Sequence, residues 1–327
     1  MAVTRNDVAK AAGVSPGVVS YVLNAGPRPV SAATQRRVLE AVVALGYKRD
    51  GLARSLRTGR SDTLGVILPD ASNPFFAELA RAIEDSAFRA GKSVLVCNSA
   101  DDIERERSYL KTLAERRVDG IILVSASGEE DLSDVLDLRI PIVTMDRYRA
   151  ETAVSTVRFD NRHAGYVASK HLIEHGHELI TIISGPHSTT VSEERISGYL
   201  QALAEAGLEP LPVEAARFTF SGGYEAMTAC LKLTTVPTAA VCSSDVQAIG
   251  ALAALADDGG HAPSRMALVS IDGTRLARFT RPVLTAVRQP VEVMADLAVR
   301  TAIEPDGEIH RTLQGELVAG GTCGCRP

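Results

Sequence analysis

From residue 62 onward the chain repeats one pattern: a short β-rich apolar run, an amphipathic stretch, then another run. The runs are Leu64-Gly-Val-Ile-Leu, Ser93-Val-Leu-Val-Cys, Gly120-Ile-Ile-Leu-Val and Ile140-Pro-Ile-Val-Thr-Met, resuming with Leu179-Ile-Thr-Ile-Ile, Ala239-Ala-Val-Cys and Met266-Ala-Leu-Val-Ser-Ile. Between them lie helical stretches such as Phe75–Ala90, Arg105–Arg117, Glu193–Ala206 and Asp245–Asp257. Strand-helix alternation of this kind means parallel sheets with helices on both faces. One series precedes Asp160 and one follows it, so two similar lobes are expected rather than one sheet. A two-lobe α/β core binds small molecules in the cleft between the lobes, beyond the carboxyl ends of the strands.

The first sixty residues follow a different rule. In Val14-Ser-Pro-Gly-Val-Val-Ser-Tyr-Val-Leu-Asn24, Ser15 is placed to cap a helix and Pro16 to open it, with Val19, Val22 and Leu23 facing inward. Upstream, Thr4 and Asp7 have capping-box spacing, with Asp in place of the usual Glu or Gln, before the apolar face Val8, Ala9 and Ala12. Helix, Gly13 turn, helix is the helix-turn-helix unit, whose second helix enters the major groove. A third helix is expected from Ser31 as N-cap to about Leu45, burying Val38, Ala41, Val42 and Leu45. Charge follows the same division. Residues 1–60 carry ten Lys/Arg against three Asp/Glu, whereas the whole chain has a net charge of −5. A basic head on an acidic body implies that the head alone meets a polyanion.

The run Asp7-Val-Ala-Lys-Ala-Ala-Gly-Val-Ser15, with Val19-Ser20 and Val22-Leu23-Asn24, resembles the headpiece of the lactose/galactose-repressor (LacI/GalR) family of transcription regulators. The resemblance implies a headpiece over 1–47, a linker with a hinge helix over 48–61, and a periplasmic-binding-protein-like core over 62–327. The first lobe would take about 62–159 and 290–308, the second about 160–289 and 309–327. Leu52-Ala-Arg-Ser-Leu-Arg-Thr-Gly59 is similar to the family's hinge helix, in which Ala53, Arg54 and Leu56 would meet DNA and Leu56 would wedge into the minor groove. A helix that short does not persist alone in water, so it is expected to fold only against DNA and a partner's hinge. The family's base-reading positions fall on Pro16, Gly17 and Tyr21; phosphate anchoring would fall to Thr4, Ser20, Asn24, Ser31, Thr34 and the local Arg residues, with Ser15 a further candidate DNA contact. Pro and Gly offer no side-chain donor, so readout is expected to lean on Tyr21, apolar contact and groove deformation. The implied partners are a near-palindromic double-stranded operator and a second copy of the chain.

For the cleft, Asp70-Ala-Ser-Asn-Pro-Phe-Phe76 is similar to the family's loop after the first strand and offers Asn73, Phe75 and Phe76. By the same resemblance Asp146, Arg147, Asp160, Arg195 (in Arg-x-x-Gly-Tyr), Phe218, Asp245 and Asp272 are candidate effector contacts. Ser244-Asp245 stands where Asn-Asp is common. Carboxylates, an Arg and aromatic faces suit a hydroxyl-rich ring such as a sugar or nucleoside. Each residue has a structural alternative: Asp160 and Asp245 as helix N-caps, Phe75 and Phe76 as core.

Other classes find little support in the residues. His171 and His175 form an i, i+4 pair near His177, but without the intervening Glu of a zinc hydrolase, and Cys323-x-Cys325 shows no sequence partner. No metal, no cofactor and, from five scattered cysteines, no disulfide framework is expected. No nucleophile elbow, phosphate loop or Gly-x-Gly-x-x-Gly is present, so no enzyme is expected. With no leader-like or membrane-spanning apolar run, a cytoplasmic regulator is expected. The competing reading is a solute-binding module without DNA function. The tail from Ala319 departs from the family's usual ending and is expected to be mobile.

Overall fold

The computed structural model describes residues 3–24, 29–47, 60–125, 140–146, 154–187 and 189–325. They fall into two compact units, Met1–Ser61 and Asp62–Pro327. The hinge segment, with Ala53, Arg54 and Leu56, and also Arg147, lie outside the described residues.

The first unit holds α1 (Arg5–Ala12), α2 (Pro16–Asn24) and α3 (Ala32–Ala44). The capping box forms with Asp in the Glu position. Thr4 Oγ1 accepts from the Asp7 amide at 3.4 Å, and Asp7 Oδ2 accepts from the Thr4 amide at 2.8 Å. The Thr4 hydroxyl, donating to Asp7 Oδ2 at 2.7 Å, and then the Thr4 amide hold the Asp7 carboxyl below its ordinary value. Gly13 ends α1 at φ 65°, a left-handed turn that costs glycine nothing. Ser15 Oγ accepts from the Val18 amide, and Ser31 Oγ from the Thr34 amide, fixing the starts of α2 and α3. Val8, Ala9, Ala12, Val19, Val38 and Ala41 form the buried centre, with Val22, Leu23, Val42 and Leu45 packed around it.

The second unit holds two six-stranded sheets. In the first, β1 (Thr63–Leu68), β2 (Ser93–Asn98), β3 (Gly120–Val124), β4 (Ile142–Met145), β5 (Ser155–Phe159) and β11 (His310–Leu313) run in the order β11-β5-β4-β3-β1-β2, all parallel. The described helices of this lobe are α4 (Pro74–Arg89), α5 (Ile103–Glu115) and α10 (Val291–Ile303). In the second sheet, β6 (Ile180–Ser184), β7 (Glu214–Ala215), β8 (Ala239–Cys242), β9 (Ala267–Asp272), β10 (Thr285–Arg288) and β12 (Glu316–Val318) run in the order β12-β10-β9-β8-β6-β7. Only β12 is antiparallel to its neighbour, so it needs no crossover helix. Its helices are α6 (Asn161–Glu174), α7 (Thr190–Ala206), α8 (Phe220–Cys230) and α9 (Asp245–Asp257). Strand interiors such as Gly120–Val124 and Ile180–Ser184 are buried throughout, as helices on both faces demand.

Two expectations need correcting. The last return to the second lobe does not fall at 308/309. Because β11 pairs with β5, with His310 opposite Thr156 and Leu313 opposite Phe159, the chain stays in the first lobe through Leu313. Nor is the tail loose. Thr322 donates to and accepts from Leu268, Gly320 N donates to Thr285 Oγ1, and Cys323 is 2 % exposed. A Cβ on Gly320 would lie 2.4 Å from the Val283 carbonyl oxygen, so the glycines lost to the usual ending serve close packing here.

Candidate effector cleft and DNA-binding head

The loops at the carboxyl ends of the strands line a narrow cavity between the two lobes. The first lobe contributes Asn73, Phe75, Phe76 and Asp146; the second contributes Val191, Arg195, Phe218, Ser244, Asp272 and Gln289.

Each side chain is set by its element. Asn73 caps α4, its Oδ1 accepting from the Phe75 amide at 3.0 Å, and Pro74 opens the helix. The cap turns Phe75 and Phe76 inward, their rings edge-to-face at 5.1 Å between centroids. Arg195 is nearly fully buried in α7. Its Nε donates to Asn161 Oδ1 at 2.9 Å, and its Nη1 donates to the Ser243 carbonyl. Asn161 follows the first passage between lobes, so the guanidinium is braced by the crossover itself. Phe218 lies against Gly185, where a Cβ would sit 2.1 Å from the ring. Only glycine leaves that space.

The acidic residues divide. Asp272, at φ 124°, accepts from Gln289 Nε2 at 2.9 Å and from the Asp245 amide at 3.3 Å. Burial pushes its carboxyl up to about 8, with the Arg195 guanidinium pulling the other way and the Asp245 charge adding to the rise. Asp146 is also left-handed at φ 62°, and its buried Oδ1 has no hydrogen-bond partner among the described residues. Gln289 Oε1 is a second buried acceptor in the same position.

Asp160 and Asp245 do not line this cavity. Asp160 caps α6, with Oδ1 accepting from the His163 amide at 2.9 Å and Oδ2 from Gln314 Nε2 at 3.2 Å. Asp245 accepts from Ser270 Oγ at 2.6 Å and from the Thr274 amide and hydroxyl, both at 2.7 Å. Burial raises its carboxyl, and those donors oppose the rise. Its carboxylate therefore shapes the loop after β9 from behind the cavity wall. Ser244, one residue earlier, reaches the cavity and caps α9 through the Gln247 amide. Gln289 and Val191 were not candidates from the sequence. Gln289 precedes Pro290 at the return to the first lobe, and that placement is its only sequence signal.

In the head, Pro16 and Gly17 are exposed at the start of α2, and Ser20 and Tyr21 are half-buried on its next turn. The hydroxyls of Thr4, Ser15 and Ser31 are spent on caps, and Thr34 Oγ1 accepts from Ser31. Thr4, Ser15 and Ser31 are exposed, whereas Thr34 is half-buried. Asn24 is the last residue of α2. Helix N-termini of this kind present free amides and a positive dipole end, which suit phosphate.

A capped helix-turn-helix head carried on a two-lobe core with a lined interlobe cavity defines a ligand-responsive, DNA-binding transcription regulator. Known proteins narrow the class. Residues 4–50 match the bacterial regulatory proteins of the lacI family, and residues 61–299 match periplasmic binding proteins and the sugar binding domain of the LacI family. The chain is 35 % identical to the HTH-type transcriptional repressor PurR of Pasteurella multocida, over 92 % of this chain and 91 % of that protein. It is similar to the transcriptional regulator CelR in complex with cellobiose, at 29 % identity and TM-score 0.74, covering 98 % of this chain and 99 % of that one. The fold is also that of the lac repressor dimer bound to operator and an anti-inducer, at TM-score 0.88 and 24 % identity over 99 % of each chain. The chain belongs to the LacI family of bacterial regulatory proteins.

Proposed function

We propose that this chain represses transcription as a cytoplasmic homodimer whose operator affinity is set by a neutral, hydroxyl-bearing small molecule, a sugar or nucleoside, held in the interlobe cavity. The observation that carries the effector class is the pair of buried acceptors lining that cavity, Asp146 Oδ1 and Gln289 Oε1, each without a partner among the described residues. An unmatched buried acceptor costs about 1–3 kcal/mol, and a ligand hydroxyl or N–H removes that cost. Three phenylalanines supply faces for an apolar ring surface, and the protonated Asp272 carboxyl beside Arg195 offers a ligand hydroxyl both a donor and an acceptor. The left-handed backbones of Asp146 and Asp272, both at cavity-lining strand ends, are strain of the kind that accompanies ligand sites. PurR and CelR, the relatives above, are a repressor and a cellobiose-bound regulator.

On this reading Pro16, Gly17 and Tyr21 face base edges, and Thr4, Ser15, Ser20, Asn24, Ser31 and Thr34 position phosphates around the helix N-termini. Ala53, Arg54 and Leu56 enter the minor groove. Dimerisation is supported by the edge strand β2, where Leu95 and Val96 are 39 % and 50 % exposed, and by Phe88 of α4 at 80 %. The relatives above are transcription regulators, and on this reading the cleft binds its ligand without turnover. Among the described residues no helix is long and apolar enough to cross a membrane.

The test is selection from a random duplex library at stated, near-physiological salt, with and without pooled neutral sugars and nucleosides. An enriched near-palindrome whose recovery changes with one neutral ligand is the expected result. Enrichment altered only by phosphorylated or carboxylate ligands would overturn the effector class. No DNA enrichment in either condition would leave a solute-binding module.

A further inference from the structure

The i, i+4 histidines at the end of α6 and the Cys-x-Cys of the tail, far apart in sequence and without partners there, meet in the fold. Cys325 Sγ lies 3.0 Å from His175 Nε2 and 3.5 Å from His171 Nε2. The ligand atoms of His171, Cys323 and Cys325 all lie within 4.8 Å of one another. We propose that His171, His175, Cys323 and Cys325 form a tetrahedral zinc site that clamps the C-terminal tail to α6.

The geometry is close to what the metal requires. With Zn–S near 2.3 Å and Zn–N near 2.0 Å, a tetrahedral site has N···S edges of about 3.5 Å and an S···S edge of about 3.8 Å. The 3.5 Å contact already has the length of an N···S edge, the 3.0 Å one lengthens by about half an ångström, and the exposed His175, which lies outside the group of three within 4.8 Å of one another, swings further in as the fourth ligand. The donor set is also selective: two thiolates and two imidazoles suit zinc and exclude magnesium or calcium, which take oxygen ligands.

The surroundings orient the ligands. His175 Nδ1 lies 2.7 Å from the His171 carbonyl oxygen, and a carbonyl can only accept, so Nδ1 carries the proton and Nε2 presents its lone pair. Thr285 Oγ1 donates to Cys323 Sγ at 2.9 Å. His171-x3-His175 matches the usual zinc spacing, and the shorter Cys-x-Cys is closed by Gly324 at φ 89°, a turn a side chain would strain. His177, by contrast, is turned away toward Thr238 Oγ1 at 3.0 Å. Four protein ligands leave no open position, so the ion is structural. It sits at the opposite end of α6 from Asn161, which braces Arg195 in the cavity.

The test uses the full-length protein kept reduced with a phosphine, stripped with chelator, and reloaded with Zn²⁺ or Co²⁺ alone. One metal ion per chain is expected by elemental analysis, with a raised Tm. Co²⁺ should give the intense visible bands of a tetrahedral site together with thiolate charge transfer. His175→Gln and Cys325→Ser, at exposed and half-exposed positions, should each lower affinity at least about tenfold while far-UV dichroism is kept. Cys97→Ser, on the first lobe's edge strand, should bind as the parent does. Absence of the Co²⁺ bands in the reduced parent would overturn the proposal whatever the variants do, and so would equal affinity in parent and both variants.

Discussion

Asp272 is a carboxyl that the fold keeps protonated further up the pH scale than water would. Its folded value, about 8, lies above its unfolded value near 4, so the native state holds a proton that the unfolded state has released throughout that interval. Its contribution to stability is therefore complete below about pH 4 and is lost as pH rises toward 8, by at most ~1.4 kcal/mol per pH unit. Asp272→Asn cannot titrate, so its urea midpoint should fall less than the parent's between pH 5 and pH 8. Parallel profiles would show that Asp272 ionises normally. A second residue-scale expectation concerns Asp146. Asp146→Asn keeps the shape but weakens the acceptor and adds donors, so effector affinity should drop about tenfold with little loss of stability, read by calorimetry on the ligand that the library selection identifies. Much of the cavity lining was legible through the family resemblance, because the Asn-Pro-Phe-Phe loop after a strand and the Arg one turn before Gly-Tyr that carry it are local patterns. Asp160 and Asp245 were ambiguous for a physical reason. An acidic residue between a strand and a helix serves equally as an N-cap or as a ligand contact, and only the direction of its oxygens decides. Gln289 reaches the cavity through the crossover, which no local pattern encodes.

At the scale of elements, the Gly-Tyr of that pattern turns out to be about helix spacing. A Cβ on Gly198 would lie 1.9 Å from the Arg162 carbonyl oxygen, and one on Gly165 would lie 2.2 Å from the Arg195 carbonyl oxygen. Helices α6 and α7 thus touch backbone to backbone, and Tyr199, wholly buried, donates to the Ile180 carbonyl at 2.8 Å to lock α7 onto β6. The clash is with backbone, which cannot rotate away, so Gly198→Ala should cost about 1–3 kcal/mol or more. It should also move Arg195 and weaken effector binding; an unchanged denaturation midpoint would show that the helices have room to part. The pairing of α6 with the tail shows the limit of sequence reading at this scale. Alternation of strands and helices is a periodicity of neighbours and gave both lobes, while β11 joining the first sheet and Cys323 meeting His171 are long-range outcomes of packing that periodicity does not carry.

For the whole molecule, charge is segregated: the first sixty residues are strongly basic and the remainder acidic, within a net of −5. Operator binding should accordingly fall steeply with salt, since each phosphate neutralised releases condensed counterions. Effector and operator occupy different units of the chain, so any influence between them is a coupling free energy, and such coupling is reciprocal. If a ligand in the cavity weakens operator binding by some factor, operator must weaken ligand binding by that same factor. Two titrations at one salt concentration check this: operator affinity by anisotropy with and without saturating ligand, and ligand affinity by calorimetry with and without saturating operator. Leu56→Ala sharpens the comparison. If coupling runs through hinge helices that fold only on specific DNA, this substitution should lower operator affinity far more than affinity for random duplex. It should also shrink both coupling factors together while ligand affinity in the absence of DNA stays put. Equal losses on operator and random DNA would remove Leu56 from the lever, and unequal coupling factors would mean that the ligand also acts at a second site.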